Sequence, residues 1–507
     1  MSRPTSIARA FALAFCLGST EALPSRAAEL FLPASWPAAS PRPLPPSAQP
    51  VLLDLATVAA TEIGERITLE LGPELGRVET VVESITRRSP TSFSLHGRFE
   101  SQPDGFVLLA LEGEAAAGLI QVPVAHPRSP ETAIGYVVQY VADGVHELSP
   151  IEPIAMDECK TSEGTPGAPT SEEEERRAPV VPTPPPGPLP AGTCADPGPH
   201  GDVMIYYTPA ARAEAGGTDA MNAQCQLAVD TANLTYVDSQ ITNRLTLIFR
   251  GEIAYTESGS SETDRNRLKS TSDGIMDQVH ADRDFYGGDF VSLFLKQTNS
   301  DACGIAYCTP SGASEGFCTV TWSCASGNFS FAHELGHLQG CAHNRADAGS
   351  GCNEYCFSYG HRFFGNSGSG WRTVMSYDTD PSAHTRIGIW SNPGVSFDGQ
   401  PCGVWTGSCT SQSAFNAATV TSTAPDREAW RSSRFEVWVD RFGSGTPRGT
   451  YQAPFTTVAA GVAAVFSGGP TPAQPLLRIK SAAYGEALVL SKAMRVEACG
   501  GVVSIGN

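Results

Sequence analysis

The chain has 507 residues, of which 41% are hydrophobic and 17% charged, which excludes wholesale disorder and predicts two to four domains. Asp and Glu total 53 against 34 Lys and Arg, a formal net charge of −19. An acidic chain repels phosphate backbones, so no nucleic-acid partner is expected. No apolar run reaches the roughly 18–20 residues of a spanning helix, so no transmembrane anchor is expected either.

Residues 1–27 have the pattern of a signal peptide. Arg3 and Arg9 are followed by a short apolar run and then by small residues at suitable cleavage points. Cleavage after Ala22 and cleavage after Ala27 both fit. The pattern predicts a secreted, extracellular protein from which this segment is removed.

Residues 28–160 and 161–192 differ sharply in composition. The first range alternates short apolar runs such as VLLDLATV and GFVLLALEG with Gly and Asp-Gly turns, which predicts an all-β region. The second contains nine prolines and an acidic run, so it cannot form a core and is predicted to be an extended linker open to proteases.

From residue 193 the pattern changes to alternating strands and helices, which predicts an α/β or α+β domain over 193–434. DVMIYY, RLTLIFRGEIAY and DFVSLFL are predicted to be strands. Helices are predicted over 221–236, 265–284, around 330–340 and near 414–434. Residues 435–507 return to a β-rich pattern with Gly-Gly turns.

The cysteines indicate an oxidising compartment. Of 14 cysteines, Cys16 leaves with the signal and Cys159 lies in the β-rich region, which leaves twelve between 194 and 499. An even number clustered in this way favours disulfides. The short-range candidates are Cys402 with Cys409, and Cys341 with either Cys352 or Cys356.

The segment FAHELGHLQGCAHN carries the strongest chemical signal, the spacing H-E-x-x-H-x-x-G-x-x-H. On a helix, His333 and His337 lie on one face about 6 Å apart along the axis, so both can reach one zinc ion. Gly340 can take the left-handed conformation that ends the helix, which lets His343 return to the same metal. Three imidazoles leave one zinc position open for water, as in catalytic sites, and Glu334 is placed to act on that water.

This motif resembles that of the metzincin zinc metalloendopeptidases. The resemblance implies a tight turn with a methionine beneath the metal, and WRTVMSYD supplies Met375 for it. It also implies that Tyr377 helps to stabilise the oxyanion, as the tyrosine at that position does in astacin-like and serralysin-like relatives. The implied fold is a metzincin-type catalytic domain, a mixed twisted sheet with helices.

The placement within the clan rests on further stretches of 193–434. MIYYTPAAR, CGIAYC and WSNPGVSFDGQPCG resemble secreted bacterial metzincins of the reprolysin (adamalysin) kind. One residue departs from the pattern: Asn344 follows the third histidine, where adamalysin-like members usually carry Asp and astacin-like members Glu. No GGxGxD repeat occurs, which weakens a serralysin alternative, and no motif supports a structural calcium ion.

The resemblance also implies roles for the regions on either side of 193–434. The β-rich region 28–160 looks like the propeptide of a zymogen, activated by a cut in 161–192, for which Arg176–Arg177 is one candidate. Cys159 could ligate the zinc as a latency switch, or be an ordinary propeptide thiol. The tail 435–507 resembles the cap and first rung of a right-handed parallel β-helix, which suggests a contact with a surface or a glycan.

The sequence therefore predicts a secreted zinc endopeptidase with one catalytic Zn²⁺, Glu334 as general base, and proteins or peptides as substrates. Two alternatives remain open. One is a zinc hydrolase that acts on a non-peptide substrate. The other is a secreted adhesion or carbohydrate-binding protein whose zinc site is vestigial.

Overall fold

A computed structural model describes residues 28–72, 75–100, 102–122, 135–151, 198–296, 302–348, 352–377, 384–469 and 471–506. The predicted signal 1–27, Cys159 and the linker 161–192 lie outside these residues. Within the described ranges, no helix combines the length and the apolar character that crossing a bilayer requires.

The N-terminal region is one ten-stranded sheet, as the all-β prediction expects. The sheet order is β1-β4-β5-β6-β7-β8-β9-β10-β3-β2, and neighbours are antiparallel except β1 with β4. The strands β1 to β10 are Ala28–Glu29, Phe31–Pro33, Gln49–Leu53, Arg66–Glu70, Arg77–Ser89, Ser92–Phe99, Gln102–Glu112, Ala115–Gln121, Gly135–Ala142 and Val145–Pro150.

Local chemistry explains two features of this sheet. Asp143 and Gly144 both have positive φ (52° and 76°), the conformation of a two-residue hairpin turn that matches strand twist. The segment VLLDLATV, predicted to be a single strand, changes to helix α1 (Leu55–Ala60). The Asp54 side chain causes the change, because it accepts from the Thr57 backbone N–H and so caps that helix.

A second sheet forms the centre of the described residues from 198 onward. Its order is β12-β11-β13-β15-β14, with β14 antiparallel at one edge and the other pairs parallel. The strands are β11 (His200–Tyr207), β12 (Arg244–Glu252), β13 (Phe290–Leu295), β14 (Gly304–Ala306) and β15 (Phe317–Thr321). The predicted strands in DVMIYY, RLTLIFRGEIAY and DFVSLFL are confirmed.

Helices cover both faces of this sheet. Alternate residues of β11 point to opposite sides, Val203 and Ile205 into one core and Met204 and Tyr206 into another. The helices are α2 (Pro209–Ala215), α3 (Thr218–Asp238), α4 (Ser261–Lys269), α5 (Gln278–Tyr286), α6 (Ser330–Leu338) and α7 (Asn416–Arg427), with 3₁₀ turns at Ala313–Glu315 and Trp322–Cys324.

Two helix predictions need correction. The single helix predicted over 265–284 is two helices, α4 and α5, because the chain between them takes positive φ at Gly274 (77°) and Met276 (61°). The helix predicted over 414–434 is confined to α7, which carries Pro425 near its end. The predictions for α3 and α6 are confirmed.

Short strands and disulfides organise the region that follows α6. The strands are β16 (Ala342–Asn344), β17 (Tyr359–Gly360), β18 (Arg362–Phe364), β19 (Gly370–Arg372), β20 (Thr385–Arg386), β21 (Ser396–Phe397) and β22 (Gln400–Pro401). The described disulfides join Cys303 to Cys324, Cys308 to Cys352, and Cys356 to Cys409.

Both short-range disulfide expectations are wrong. Cys402 is buried while Cys409 is exposed and bonded to Cys356, so these two side chains face different environments. Cys341 is a buried thiol just after α6, and Cys352 bonds to Cys308 instead. Fewer cysteines are paired than their even number suggested, since the described residues contain four buried free thiols, Cys225, Cys318, Cys341 and Cys402.

The C-terminal segment forms a small unit with its own apolar cluster. Strands β23 (Glu436–Val439), β24 (Leu476–Lys480) and β26 (Arg495–Cys499) pair in parallel, and β25 (Ala483–Tyr484) pairs in parallel with β27 (Ser504–Ile505). Helix α8 (Val458–Ala464) packs beside them. A β-helix cap needs parallel pairing of this kind, but the identification of the segment as one stays a prediction.

The N-terminal sheet packs on helix α3. Phe106 and Leu108 of β7 share an apolar cluster with Leu227 of α3 and with Phe329, the residue before α6. The contact between the two parts of the chain therefore extends to the start of α6.

Candidate metal centre and active site

Helix α6 carries the predicted motif, and its local sequence lets other groups approach closely. A Cβ atom at Gly336 would lie 2.5 Å from Met375 Sδ and 2.8 Å from the Trp390 ring. Only a glycine therefore allows Met375 and Trp390 to pack directly on the helix. After α6, Gly340 has φ 86°, the left-handed conformation predicted for it, and the chain turns back.

The three predicted histidines converge. The Nε2 atom of His343 lies 3.2 Å from Nε2 of His333 and 3.0 Å from Nε2 of His337. Among the described residues, this trio is the group of potential ligands whose atoms all lie within 4.8 Å of one another. All three side chains are at most 2% exposed.

Hydrogen bonds leave the converging nitrogens as lone-pair donors. The Nδ1–H of His333 donates to the Val374 carbonyl and that of His337 to the Cys341 carbonyl, each at 2.9 Å. His343 hydrogen-bonds the backbone of Asp347. A carbonyl can only accept, so Nδ1 of His333 and of His337 keeps its proton, and the Nε2 of each keeps its lone pair.

Burial favours the neutral imidazoles that metal binding needs. It lowers the pKa of His337 to about 4 and that of His343 well below the ordinary value. Burial also lowers the pKa of His333 well below its ordinary value, with smaller contributions from His337 and from the Arg386 guanidinium.

The donor set fits zinc. Three imidazole nitrogens at about 2.0–2.1 Å from a tetrahedral ion would lie about 3.3 Å from one another. The separations of 3.0 and 3.2 Å come close to that spacing. Three lone pairs facing one another in a buried site would repel, so the arrangement calls for a cation between them.

Glu334 lies beside the histidines and against the edge strand of the sheet. Its side chain is fully buried. A Cβ atom at Gly304, the first residue of β14, would lie 2.5 Å from Glu334 Oε1. The absence of a side chain at Gly304 therefore provides the space that the carboxylate occupies. The sequence motif contained no signal for this residue.

Met375 and Tyr377 lie where the motif predicts a turn. The Ser376 N–H donates to the Thr373 carbonyl at 2.9 Å, which closes a tight turn around the buried Met375. The Tyr377 ring stacks on the His343 imidazole, with centroids 3.9 Å apart and planes 28° apart. The turn therefore contacts both α6 and the third histidine.

Asn344, which departs from the expected sequence pattern, links the segment that follows the third histidine to the turn that carries Tyr377. Its Oδ1 accepts from the Tyr377 backbone N–H at 2.8 Å, and its Nδ2 donates to Asp347 Oδ2 at 2.8 Å. The sequence marked this position as unusual but could not reveal these partners. Cys159, the predicted latency switch, lies outside the described residues.

Known proteins are similar in sequence to the part of the chain that carries the site. Residues 201–387 match the family model Reprolysin_5, metallo-peptidase family M12. A peptidyl-Asp metalloendopeptidase of Pseudomonas fragi is 34% identical over 144 residues, which cover 28% of this chain and 71% of that protein.

The chain belongs to metallo-peptidase family M12. A peptidyl-Asp metalloendopeptidase of Stenotrophomonas maltophilia (strain R551-3) is 41% identical to this M12 chain over 202 residues, or 40% of this chain and 47% of that protein. The M12 chain thus spans about half the length of that relative. The three histidines, Glu334 and Met375 all fall within the part that matches the family model.

A solved structure, metalloproteinase-II from Bacteroides fragilis, covers 60% of this M12 chain and 88% of its own chain at 14% identity and a TM-score of 0.33. At that TM-score the likeness defines neither the fold nor the activity of this chain.

Proposed function

We propose that the protein is a secreted zinc-dependent endopeptidase made as a zymogen. The convergence of three buried, neutral imidazoles beside the Glu334 carboxylate supports the zinc-dependent activity most strongly. Membership of metallo-peptidase family M12 supports the same conclusion. In this proposal His333, His337 and His343 hold one catalytic zinc ion within a metzincin-type domain.

Glu334 acts as the general base. Zinc held by the three imidazoles would supply a Lewis acid that lowers the pKa of a bound water and polarises a carbonyl. Glu334 takes the proton from the attacking water and passes it to the leaving amine. Its position against β14 and next to His333 supports this role.

Strand β14 offers a place for the substrate backbone. It forms the edge of the five-stranded sheet, and Gly304 at its start faces Glu334. An extended peptide that adds to this edge would bring a backbone carbonyl next to the carboxylate. Tyr377, stacked on His343, then donates to the oxyanion as that carbonyl reacts.

Aspartate-containing peptides are the proposed substrate class. The name of the relatives, peptidyl-Asp metalloendopeptidase, supports this, since two of them from Stenotrophomonas maltophilia are 41% and 40% identical over 202 and 201 residues of the chain. The buried Arg386 guanidinium donates to the Ser376 carbonyl at 3.1 Å and contributes to the lowered pKa of His333, so it lies near the turn and the first histidine. A positive charge there would favour an acidic side chain near the scissile bond.

The flanking regions complete the zymogen. Residues 1–27 act as the export signal, 28–160 as the propeptide, 161–192 as the cleavable linker and 193–434 as the peptidase domain. The docking of the N-terminal sheet on α3 and against Phe329 supports this organisation. Cys159 is retained as a candidate latency switch. The C-terminal module, 435–507, is proposed as a contact surface.

Digestion of casein tests the proposed activity. The full chain, cut once within 161–192, is incubated with casein before and after removal of zinc by a chelator. We expect digestion that chelation stops and added zinc restores. An intact casein in the presence of the zinc-loaded, cut chain contradicts the proposal and favours a non-peptide substrate or a binding role.

A further inference from the structure

Four residues form a closed ring of polar contacts beside the histidines. Asn344 contacts both the Tyr377 N–H and the Asp347 carboxylate, each at 2.8 Å. Arg362 Nη1 lies 3.5 Å from Asp347 Oδ2 and donates to the Tyr377 carbonyl at 3.2 Å. The Tyr377 backbone N–H is thus bound by Asn344 and its carbonyl by Arg362, and the Asp347 carboxylate contacts both of these side chains.

The ring holds the groups that flank the metal centre. Asn344 directly follows His343, and the His343 imidazole hydrogen-bonds the backbone of Asp347. The Tyr377 ring lies on the His343 imidazole with a centroid distance of 3.9 Å. A shift of this ring of hydrogen-bonded residues would therefore move the Tyr377 side chain relative to His343.

The contacts of the ring require a side chain at position 344 that both accepts and donates, and an amide meets this requirement. A backbone N–H can only donate and a carboxylate can only accept, so the residue between Tyr377 N–H and Asp347 must accept at one end and donate at the other. Asparagine does both. An aspartate at 344 would place two carboxylates about 2.8 Å apart and repel Asp347.

We propose that Asn344 is a positioning residue. Together with Asp347 and Arg362 it fixes the backbone of Tyr377, so that the tyrosine ring stays against His343 and its hydroxyl reaches the developing oxyanion. The inference rests on the proposed endopeptidase function for the role of Tyr377. The hydrogen-bonded ring itself can be tested without activity.

The experiment compares four variants of the full chain, cut in its linker and loaded with zinc. They are Asn344→Asp, a double variant that combines Asn344→Asp with Asp347→Asn, Tyr377→Phe, and the control Asn366→Asp. Asn366 is exposed and outside the ring, and its Oδ1 accepts from Gln400, so the control adds the same charge elsewhere. The double variant reverses the polarity of the ring, because the carboxylate introduced at position 344 accepts from the Tyr377 N–H and from the amide introduced at position 347.

Three readouts are taken: zinc content, kcat and KM on an unstructured peptide, and hydrogen exchange of the Tyr377 amide. For Asn344→Asp we expect retained zinc, a kcat lower by on the order of 10- to 100-fold with KM within about 3-fold, and faster amide exchange. The double variant should recover most of both losses, and Asn366→Asp should match the wild type.

Two results would overturn the inference. One is an Asn344→Asp variant whose amide exchange and kcat equal those of the wild type, and the other is a double variant no better than the single one. An unchanged kcat in Tyr377→Phe would overturn the role of Tyr377 in turnover. An inactive wild type with a protected Tyr377 amide would count against the endopeptidase proposal. The exchange data would still test whether Asn344 holds the Tyr377 backbone.

Discussion

At the residue scale, two glycines shape the site as much as its charged groups do. Gly336 lets Met375 and Trp390 pack on helix α6, and Gly304 leaves room for the Glu334 carboxylate. In both places a single methyl group would fall at 2.5 Å from a neighbouring side-chain atom. The site therefore depends on the absence of a side chain at Gly336 and Gly304 as well as on the three histidines.

Gly304→Ala should lower turnover and leave zinc binding intact. The new Cβ displaces the Glu334 carboxylate, while the three histidines are not touched, so we expect kcat to fall by at least about 10-fold at equal zinc content. Gly312→Ala is the matched control, because nothing lies within 4 Å of a Cβ there and its φ of 172° is extended. Equal kcat in the two variants would refute this steric account.

The sequence could predict some of the site because helical spacing is strictly local. The interval of four residues predicts that His333 and His337 share a face, and the positive φ of Gly340 allows His343 to join them. The partners of Glu334 and Asn344 could not be predicted, since Gly304 and Tyr377 come from distant parts of the chain.

At the element scale, a buried pair of carboxyl groups joins strands β11 and β13 to the chain between α7 and β23. Asp289 accepts from the backbone N–H groups of Asp202 and Arg431, at 2.9 and 3.0 Å. Asp202, at the start of strand β11, accepts from the Ser433 hydroxyl at 3.0 Å. Burial raises the pKa of Asp202 to about 8 and that of Asp289 well above its ordinary value.

The raised pKa of Asp202 predicts a stability that falls with pH. Its pKa is about 8 in the folded chain and about 4 when unfolded, so its contribution is full below about pH 4 and is lost as pH rises through 8. Asp202→Asn keeps an acceptor for Ser433 and cannot ionise. We expect its free energy of unfolding to fall less between pH 6 and pH 9, by on the order of 1 kcal/mol.

Urea unfolding of both proteins at several pH values measures this difference. The exposed Glu100→Ala variant serves as the control, since its partner Arg66 is also exposed. Parallel pH profiles for the wild type and Asp202→Asn would show that Asp202 is ionised in the folded chain.

Predictions of elements succeeded where the pattern is continuous and failed where a local backbone feature interrupts it. The uninterrupted apolar run of β13 and the long helix α3 were predictable from periodicity. The break between α4 and α5 contains left-handed backbone at Gly274 and at Met276, and for the Met276 conformation the sequence carries no signal. The disulfide partners depend on the tertiary fold, so their sequence separations of 21 to 53 residues could not be predicted.

At the scale of the whole molecule, the N-terminal sheet is held to the residues from 198 onward by buried charges as well as by apolar contacts. Arg250 Nη1 donates to Glu112 Oε1 at 2.7 Å, and both side chains are about 9% exposed. Arg98 pairs with Asp238 of α3, and Ser94 donates to Asp230 of the same helix. Such an interface is expected to persist when the linker alone is cut.

Glu112→Ala should weaken this interface. The change leaves the Arg250 guanidinium buried without that carboxylate, which costs on the order of 3–5 kcal/mol. After a cut within 161–192, we expect the two wild-type pieces to co-elute in size-exclusion chromatography and the Glu112→Ala pieces to separate. Glu100→Ala, which removes an exposed pair, should behave as the wild type. Separation of the wild-type pieces would argue against a retained propeptide.

The most direct test of the central claim is the rate of casein cleavage by the linker-cut chain and by its Glu334→Ala variant at matched zinc content. If Glu334 is the general base of a zinc endopeptidase, the wild type cleaves casein and the variant is slower by on the order of 10²- to 10⁴-fold while its zinc remains bound. Cleavage by the variant at the wild-type rate would contradict the assignment of Glu334, and no cleavage by either would contradict the endopeptidase itself.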